Sequence, residues 1–207
     1  MSFQPLQGAQ FLLAAHRLDQ LPADAGAEVA FAGRSNAGKS SALNALTGQR
    51  GLARTSKTPG RTQQMVAFGL PPLADGSSAR LIDLPGYGYA KVPEALREHW
   101  RHEIDRYLHQ RRSLRGIVLI ADIRHPLKEF DRRMLAFCAD TALPCRVLLT
   151  KADKLSRGQA AQALAALRKE HGGAGFDAQV FSSSAATGVD EARAAVVALL
   201  ENARVAS

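Results

Sequence analysis

Cysteine is scarce: Cys138 and Cys145 are the two in the chain, so no disulfide framework can hold it. Neither stands at metal-ligand spacing from a second cysteine or a histidine pair. Both lie in apolar neighbourhoods and read as small core residues. Long hydrophobic runs are lacking as well. The longest, Ile117 to Ala121 and Ala194 to Leu200, fall far short of the ~20 residues a membrane helix requires. Phe11 to Ala15 has no basic flank before it and no cleavage signature after it, so no secretory signal is read and a cytoplasmic protein is expected. No repeat or low-complexity tract appears. Acidic residues are the minority, 19 against 27 Lys and Arg, leaving a net charge of +8. That balance suggests a polyanionic partner, nucleic acid before an anionic membrane, with plain basicity as the alternative. What is present is a 46% hydrophobic chain of 207 residues, enough for one ordinary domain with its own core.

Short apolar runs alternate with helical patterns. Strands are expected at Glu28–Ala32, Gln64–Leu70, Ala79–Asp83, Gly116–Asp122, Cys145–Thr150 and Ala178–Phe181. Helices are expected at Lys39–Thr47, Pro93–Arg112, Lys128–Thr141, Arg157–Glu170 and Val189–Asn202. A Pro/Gly/Ser-rich turn alone separates the second and third strands, so these pair as an antiparallel hairpin. Elsewhere a helix follows each strand, which implies an α/β fold with a mostly parallel sheet of about six strands, covered on both faces. Ligands of such sheets sit beyond the carboxyl ends of the strands. The motifs fall there.

Gly33-Arg34-Ser35-Asn36-Ala37-Gly38-Lys39-Ser40 fits the phosphate-loop pattern, following a strand and opening a helix. Its glycines let backbone N–H groups cradle phosphate oxygens at the helix N-terminus. Lys39 would reach the β- and γ-phosphates, and the Ser40 hydroxyl would ligate Mg²⁺. Asp83-Leu84-Pro85-Gly86 ends another strand. There a carboxylate can hold a magnesium-bound water, and the Gly86 N–H can meet a γ-phosphate. By itself that pattern occurs about once by chance in a chain this size, so its weight comes from its place. Thr150-Lys151-Ala152-Asp153 offers a carboxylate for the paired donors of a guanine edge and a lysine stem for the purine face. The alternative is a helix cap. Phe181-Ser182-Ser183-Ser184 could bring backbone N–H groups to a guanine oxygen, or be a plain serine-rich turn.

These four motifs in this order resemble the translation-factor-like GTPases. Three further segments narrow the likeness: Ala53 to Gln63, Asp83 to Ala90, and Asp122-Ile123-Arg124-His125-Pro126 are similar to the EngB family. The resemblance runs from about Val29 to Val197 and implies a Ras-like phosphate-loop fold, with residues 26–203 as the GTPase unit and 1–25 as an extension. It also implies a protein that binds GTP or GDP with Mg²⁺, acts in assembly of the large ribosomal subunit and is needed for cell division and septation; a monomer is expected. By the same resemblance Gly60, Arg61, Thr62, Gln63 and Gln64 belong to the first switch, with Thr62 closing on Mg²⁺ and γ-phosphate in preference to Thr55 or Thr58. Thr150 stands where many GTPases have Asn, a departure the family shares.

Tyr87 stands where many GTPases carry the glutamine that positions the attacking water, so unaided hydrolysis is expected to be slow. Asn36 occupies the place where cation-activated relatives hold K⁺; a loop-shaping Asx hydrogen bond is the other reading. Leu96, Trp100, Ile104, Tyr107 and Leu108 form one helical stripe and read as core. The arginines around them, Arg97, Arg101, Arg106, Arg111, Arg112 and Arg115, are partly offset by acids and read as a solvated face. Arg54, Lys57 and Arg61 in the first switch are candidates for RNA phosphate contacts, or for loop solubility. Another phosphate-loop ATPase or kinase, and a GTP-dependent binding module at the division site, stay open as alternatives.

Overall fold

In the computed structural model, described here for residues 5–54, 64–87, 94–125, 127–171 and 176–202, one seven-stranded sheet organises the chain in the order β1-β3-β4-β2-β5-β6-β7. The strands are β1 Gln10–Ala15, β2 Ala27–Gly33, β3 Met65–Leu70, β4 Ala79–Asp83, β5 Leu114–Asp122, β6 Cys145–Thr150 and β7 Phe176–Val180. The helices are α1 Lys39–Thr47, α2 Glu94–Gln110, α3 Glu129–Asp140, α4 Arg157–His171 and α5 Val189–Glu201. β2 pairs in parallel with both β4 and β5, and β5, β6 and β7 continue in parallel. β3 and β4 form the expected antiparallel hairpin. Six expected strands and five expected helices are present, with ends displaced by at most two residues.

The seventh strand departs from the sequence reading. β1 pairs antiparallel with the outer side of β3, with an irregularity between Phe11 and Leu13. It therefore belongs to the sheet and adds a second antiparallel ladder. Its Phe11 and Leu12 are exposed. An edge strand with apolar residues on both faces shows no period-two alternation, so nothing in its pattern announces it.

Continuous apolar runs mark strands buried on both faces. In β5, Ile117, Leu119 and Ala121 face a core closed by Ile104, Tyr107 and Leu108 of α2, Met134, Leu135 and Cys138 of α3, and Ala160 and Leu167 of α4. Val118 and Ile120 face the opposite core, with Ala42, Leu43 and Leu46 of α1 and Val196, Leu199 and Leu200 of α5. Trp100 and Tyr107 are buried, as are the free Cys138 and Cys145. Among the described residues no helix is long and apolar enough to cross a membrane.

At the amino ends of the strands lies a buried ion network. Glu28 at the start of β2 is fully buried. It accepts hydrogen bonds from Arg80 Nε at 2.8 Å, from Arg111 Nε at 2.9 Å and Nη2 at 2.7 Å, and from the Tyr107 hydroxyl at 3.2 Å. Arg111 is therefore no part of a solvated face, contrary to the sequence reading. Its guanidinium turns inward to a carboxylate that would be costly to bury unpaired. The surplus positive charge meets Asp24, 3.6 Å from Arg111, and the carbonyls of Pro22, Ala23 and Ala25.

Candidate nucleotide site

Strand order reverses at β2: the chain leaves it for β3 and β4 on one side and for β5 on the other. The crevice beyond its carboxyl end is thus the fold's natural ligand position. The phosphate loop begins there. Gly38 sits at φ +100°, a conformation that strains any residue with a Cβ, and its carbonyl accepts the first α-helical bond from Ala42 at 2.8 Å. The preceding amide groups of α1 have no intrahelical acceptor and are left for a ligand.

Lys39 and Asp83 are both buried, and the ammonium donates to the Asp83 carboxylate across the loop. Burial pushes the Asp83 carboxyl above its ordinary range, against the opposing pull of Lys39. Leu84 and Pro85 are buried, and Leu84 N–H donates to Phe31 O at 3.0 Å. Gly86 packs so closely on the loop that a Cβ there would lie 3.3 Å from the Ser35 backbone. Ser35 N–H donates to Tyr87 O at 2.9 Å, joining the two motifs directly. The Ser35 hydroxyl is buried without a hydrogen-bond partner among the described residues.

The other two motifs close on the same loop. The Thr150 hydroxyl reaches the carbonyls of Ala37 and Ala121, the latter at 3.0 Å. Lys151, at φ +61°, donates to Asn36 O at 2.6 Å and to Asp122 Oδ2 at 2.8 Å. Asp153 is not a helix cap: Ser156 and Gln159 cap α4 reciprocally, Ser156 N–H to Gln159 Oε1 at 3.0 Å and Gln159 N–H to Ser156 Oγ at 3.3 Å. Instead, Asp153 Oδ1 accepts from the Ser182 hydroxyl at 2.6 Å. That bond, followed by Lys154, lowers its carboxyl pKa to about 2. The serine-rich segment is therefore joined to the fourth motif, with Phe181 buried and Ser183 exposed. Ala152 N–H donates to Phe181 O at 3.1 Å.

Tyr87 turns to α3. Its hydroxyl donates to Asp131 Oδ1 at 2.5 Å, and its ring lies 4.2 Å from that of Phe130. Burial and the neighbouring Asp131 hold the phenol well above its ordinary pKa. Asn36 adopts φ +61°. No hydrogen bond of its side-chain amide is present among the described residues, so the Asx reading of the loop finds no support. Thr55, Lys57, Thr58 and Gly60 to Gln63, Thr62 included, lie outside the described residues, as do Gly88 to Ala90 and Pro126. Gln64 is described, and its amide meets the His16 ring at 2.7 Å.

Sequence reasoning placed Ser35 in the phosphate loop and marked the Asp122 to Pro126 segment without giving Asp122 or Arg124 a task, and it missed Asp131 as a member of the site. One signal was present: Asp122 ends a buried strand, as Asp83 does, where side chains meet the ligand crevice.

Residues 28–151 match the family model described as 50S ribosome-binding GTPase. The chain is 55% identical over 205 residues to the probable GTP-binding protein EngB of Xylella fastidiosa strain 9a5c, covering 98% of each chain. It is 57% identical over 194 residues to the corresponding protein of Stenotrophomonas maltophilia strain K279a, covering 92% of this chain and 94% of that one. The chain belongs to the EngB family of GTP-binding proteins. GTP binding and hydrolysis come with that membership. The fold is shared with the crystal structure of a probable EngB, at a TM-score of 0.65 and 21% identity over 84% of this chain and 98% of that one. It is shared also with Era in complex with MgGDPNP and a segment of 16S ribosomal RNA, at 0.69 and 20% over 88% of this chain and 59% of that one.

Proposed function

We propose that this EngB-family chain is a magnesium-dependent GTP switch acting in large ribosomal subunit assembly in the cytoplasm, and needed for normal cell division. One observation carries the reading. Four segments separated in sequence, at Lys39, Asp83, Thr150 and Ser182, are drawn together at the carboxyl ends of the strands by Lys39–Asp83, Thr150–Ala37 and Ser182–Asp153 contacts. The ribosomal role draws support from the family description and from the charge of +8.

Residues 33–40 take the phosphates, Asp153 the guanine edge, and backbone N–H groups of 181–183 the guanine oxygen beside it. The donor set fits Mg²⁺, a hard cation that prefers oxygen ligands: the Ser40 hydroxyl directly, the Asp83 carboxylate through water, and Thr62 in the GTP state. Bound there, the ion would neutralise charge developing on the phosphates. Ser40→Ala should weaken GDP and GTP alike, whereas Thr62→Ala should weaken GTP alone. With the Tyr87 phenol engaged by Asp131, no side chain at that position orients water, and intrinsic turnover is slow, ~10⁻⁴–10⁻³ s⁻¹ or below. Asn36 is the candidate K⁺ ligand, so at equal ionic strength KCl should accelerate turnover over NaCl, and Asn36→Ala should abolish the difference.

The test is co-sedimentation with isolated large and small subunits across a salt series, with GTP and with GDP. The expected result is GTP-favoured large-subunit binding whose log K falls against log salt with a slope of roughly −3 to −4 for ~4 phosphates. Replacing Arg54, Lys57 and Arg61 together should flatten it. Equal binding of both subunits in both nucleotide states would overturn the ribosomal reading and favour a module acting elsewhere, at the division site.

A further inference from the structure

We infer that Asp122, fixed by Arg124, is a positioning residue that holds Lys151 in place for the nucleoside and ties it to the phosphate loop. The inference rests on the GTP-binding reading of the site and assigns a task to the segment Asp122-Ile123-Arg124, which the four motifs leave without one.

Lys151 has a four-carbon stem, and freezing it costs rotamer entropy. Here two of the three N–H donors of an ammonium are already committed, one to Asn36 O at 2.6 Å and one to Asp122 Oδ2 at 2.8 Å. The third remains for a ligand oxygen, while the stem can lie along a base. Holding the lysine there before the ligand arrives lowers the ordering cost of binding.

Asp122 can do this because it is itself immobilised. Arg124 grips it with a two-pronged contact, Nε to Oδ1 at 3.0 Å and Nη2 to Oδ2 at 2.7 Å, and adds its own backbone N–H at 3.1 Å. Burial opposes the charge on Asp122, but hydrogen bonds from Arg124 and Lys151 outweigh it and hold the carboxyl well below the usual range. The result is a chain of contacts, Arg124 to Asp122 to Lys151 to Asn36 O, running from the end of β5 across β6 into the phosphate loop. It borders a cavity of about 250 Å³ lined also by Arg34, Ser35 and His125. The Arg124 side chain is 41% exposed, and an exposed ion pair with no task would contribute little to anything. What distinguishes it is the bidentate geometry, aimed at a carboxylate that touches Lys151.

The experiment measures dissociation of a fluorescent GDP from the full chain and its variants, with thermal unfolding of the nucleotide-free proteins alongside. Arg124→Ala should raise the dissociation rate about fivefold to tenfold, the order expected for loosening one charge-assisted contact, with unchanged unfolding. Arg124→Lys should fall between, since lysine keeps the charge but cannot fork. Asp122→Asn should exceed Arg124→Ala. In a Lys151→Ala background, Arg124→Ala should add nothing, because the group it positions is gone. Parent-like dissociation from Arg124→Ala, or the same factor added on top of Lys151→Ala, would overturn this inference alone. A parent chain that binds no guanine nucleotide would overturn the reading of the site and the inference with it.

Discussion

The two ends of the sheet bury charge in opposite ways. At the amino end, Glu28 receives four hydrogen bonds from Arg80, Arg111 and Tyr107, and the excess cation is met by Asp24 and by backbone carbonyls. At the carboxyl end, the described residues give buried Asp83 the partner Lys39 and give the nearby Ser35 hydroxyl none, and burial pushes the Asp83 carboxyl up. A buried polar group left short of partners costs free energy. A network satisfied from within holds the fold, whereas the described residues alone leave the other one short of partners. The amino end is architecture, and the carboxyl end is the nucleotide site.

Glu28→Ala should therefore be the most damaging single change to stability. It takes the buried carboxylate away from two arginines and should cost about 3–5 kcal/mol, read as a lower denaturation midpoint with GDP affinity of the folded protein unchanged. A loss below about 1 kcal/mol would mean that the network is dispensable and that the contrast fails. Asp153→Asn should act at the other end alone. It replaces an acceptor by a mixed amide, so guanine nucleotides should lose about 2 kcal/mol, roughly 30-fold in Kd, while xanthine nucleotides gain. Calorimetry with GDP and XDP checks this, and unchanged GDP binding would remove Asp153 from the base site.

The smallest expected effect is on the acid limb of stability. Asp153 titrates near 2 in the fold against an ordinary 3.8, so the unfolded chain binds more protons between those values. Its contribution is present above about pH 4 and is lost as pH falls towards 2. Asp153→Asn should flatten unfolding against pH in that window, whereas a slope equal to the parent's would place the Ser182 contact outside the stability balance.

The same contrast explains what the sequence made legible. The phosphate loop could be read because its chemistry is local: Gly33 to Ser40 carry the turn, the amides and the helix start in one stretch. β5 and β6 could be read because burial on both faces writes an unbroken apolar run. Contacts that finish the site were invisible because they join distant positions: Lys151 to Asp122 and Ser182 to Asp153 each span 29 residues, and Tyr87 to Asp131 spans 44. Arg111 was misplaced for the same reason, since composition placed it on a basic helix face and Glu28, 83 residues away, turns it inward. β1 was missed because Gln10 to Ala15 follow neither a helical nor a strand period, and the strand is defined by its partner β3.

The most direct test of a nucleotide site at the carboxyl end is thermal unfolding of the parent and of Lys39→Ala with and without Mg·GDP or Mg·ADP. A ligand present at about 100 times its Kd adds about 2.7 kcal/mol to the folded state. The account predicts that Mg·GDP raises the melting temperature of the parent, that Mg·ADP does not, and that Lys39→Ala responds to neither. An equal rise with Mg·ADP, or a parent-like rise in Lys39→Ala, would contradict it.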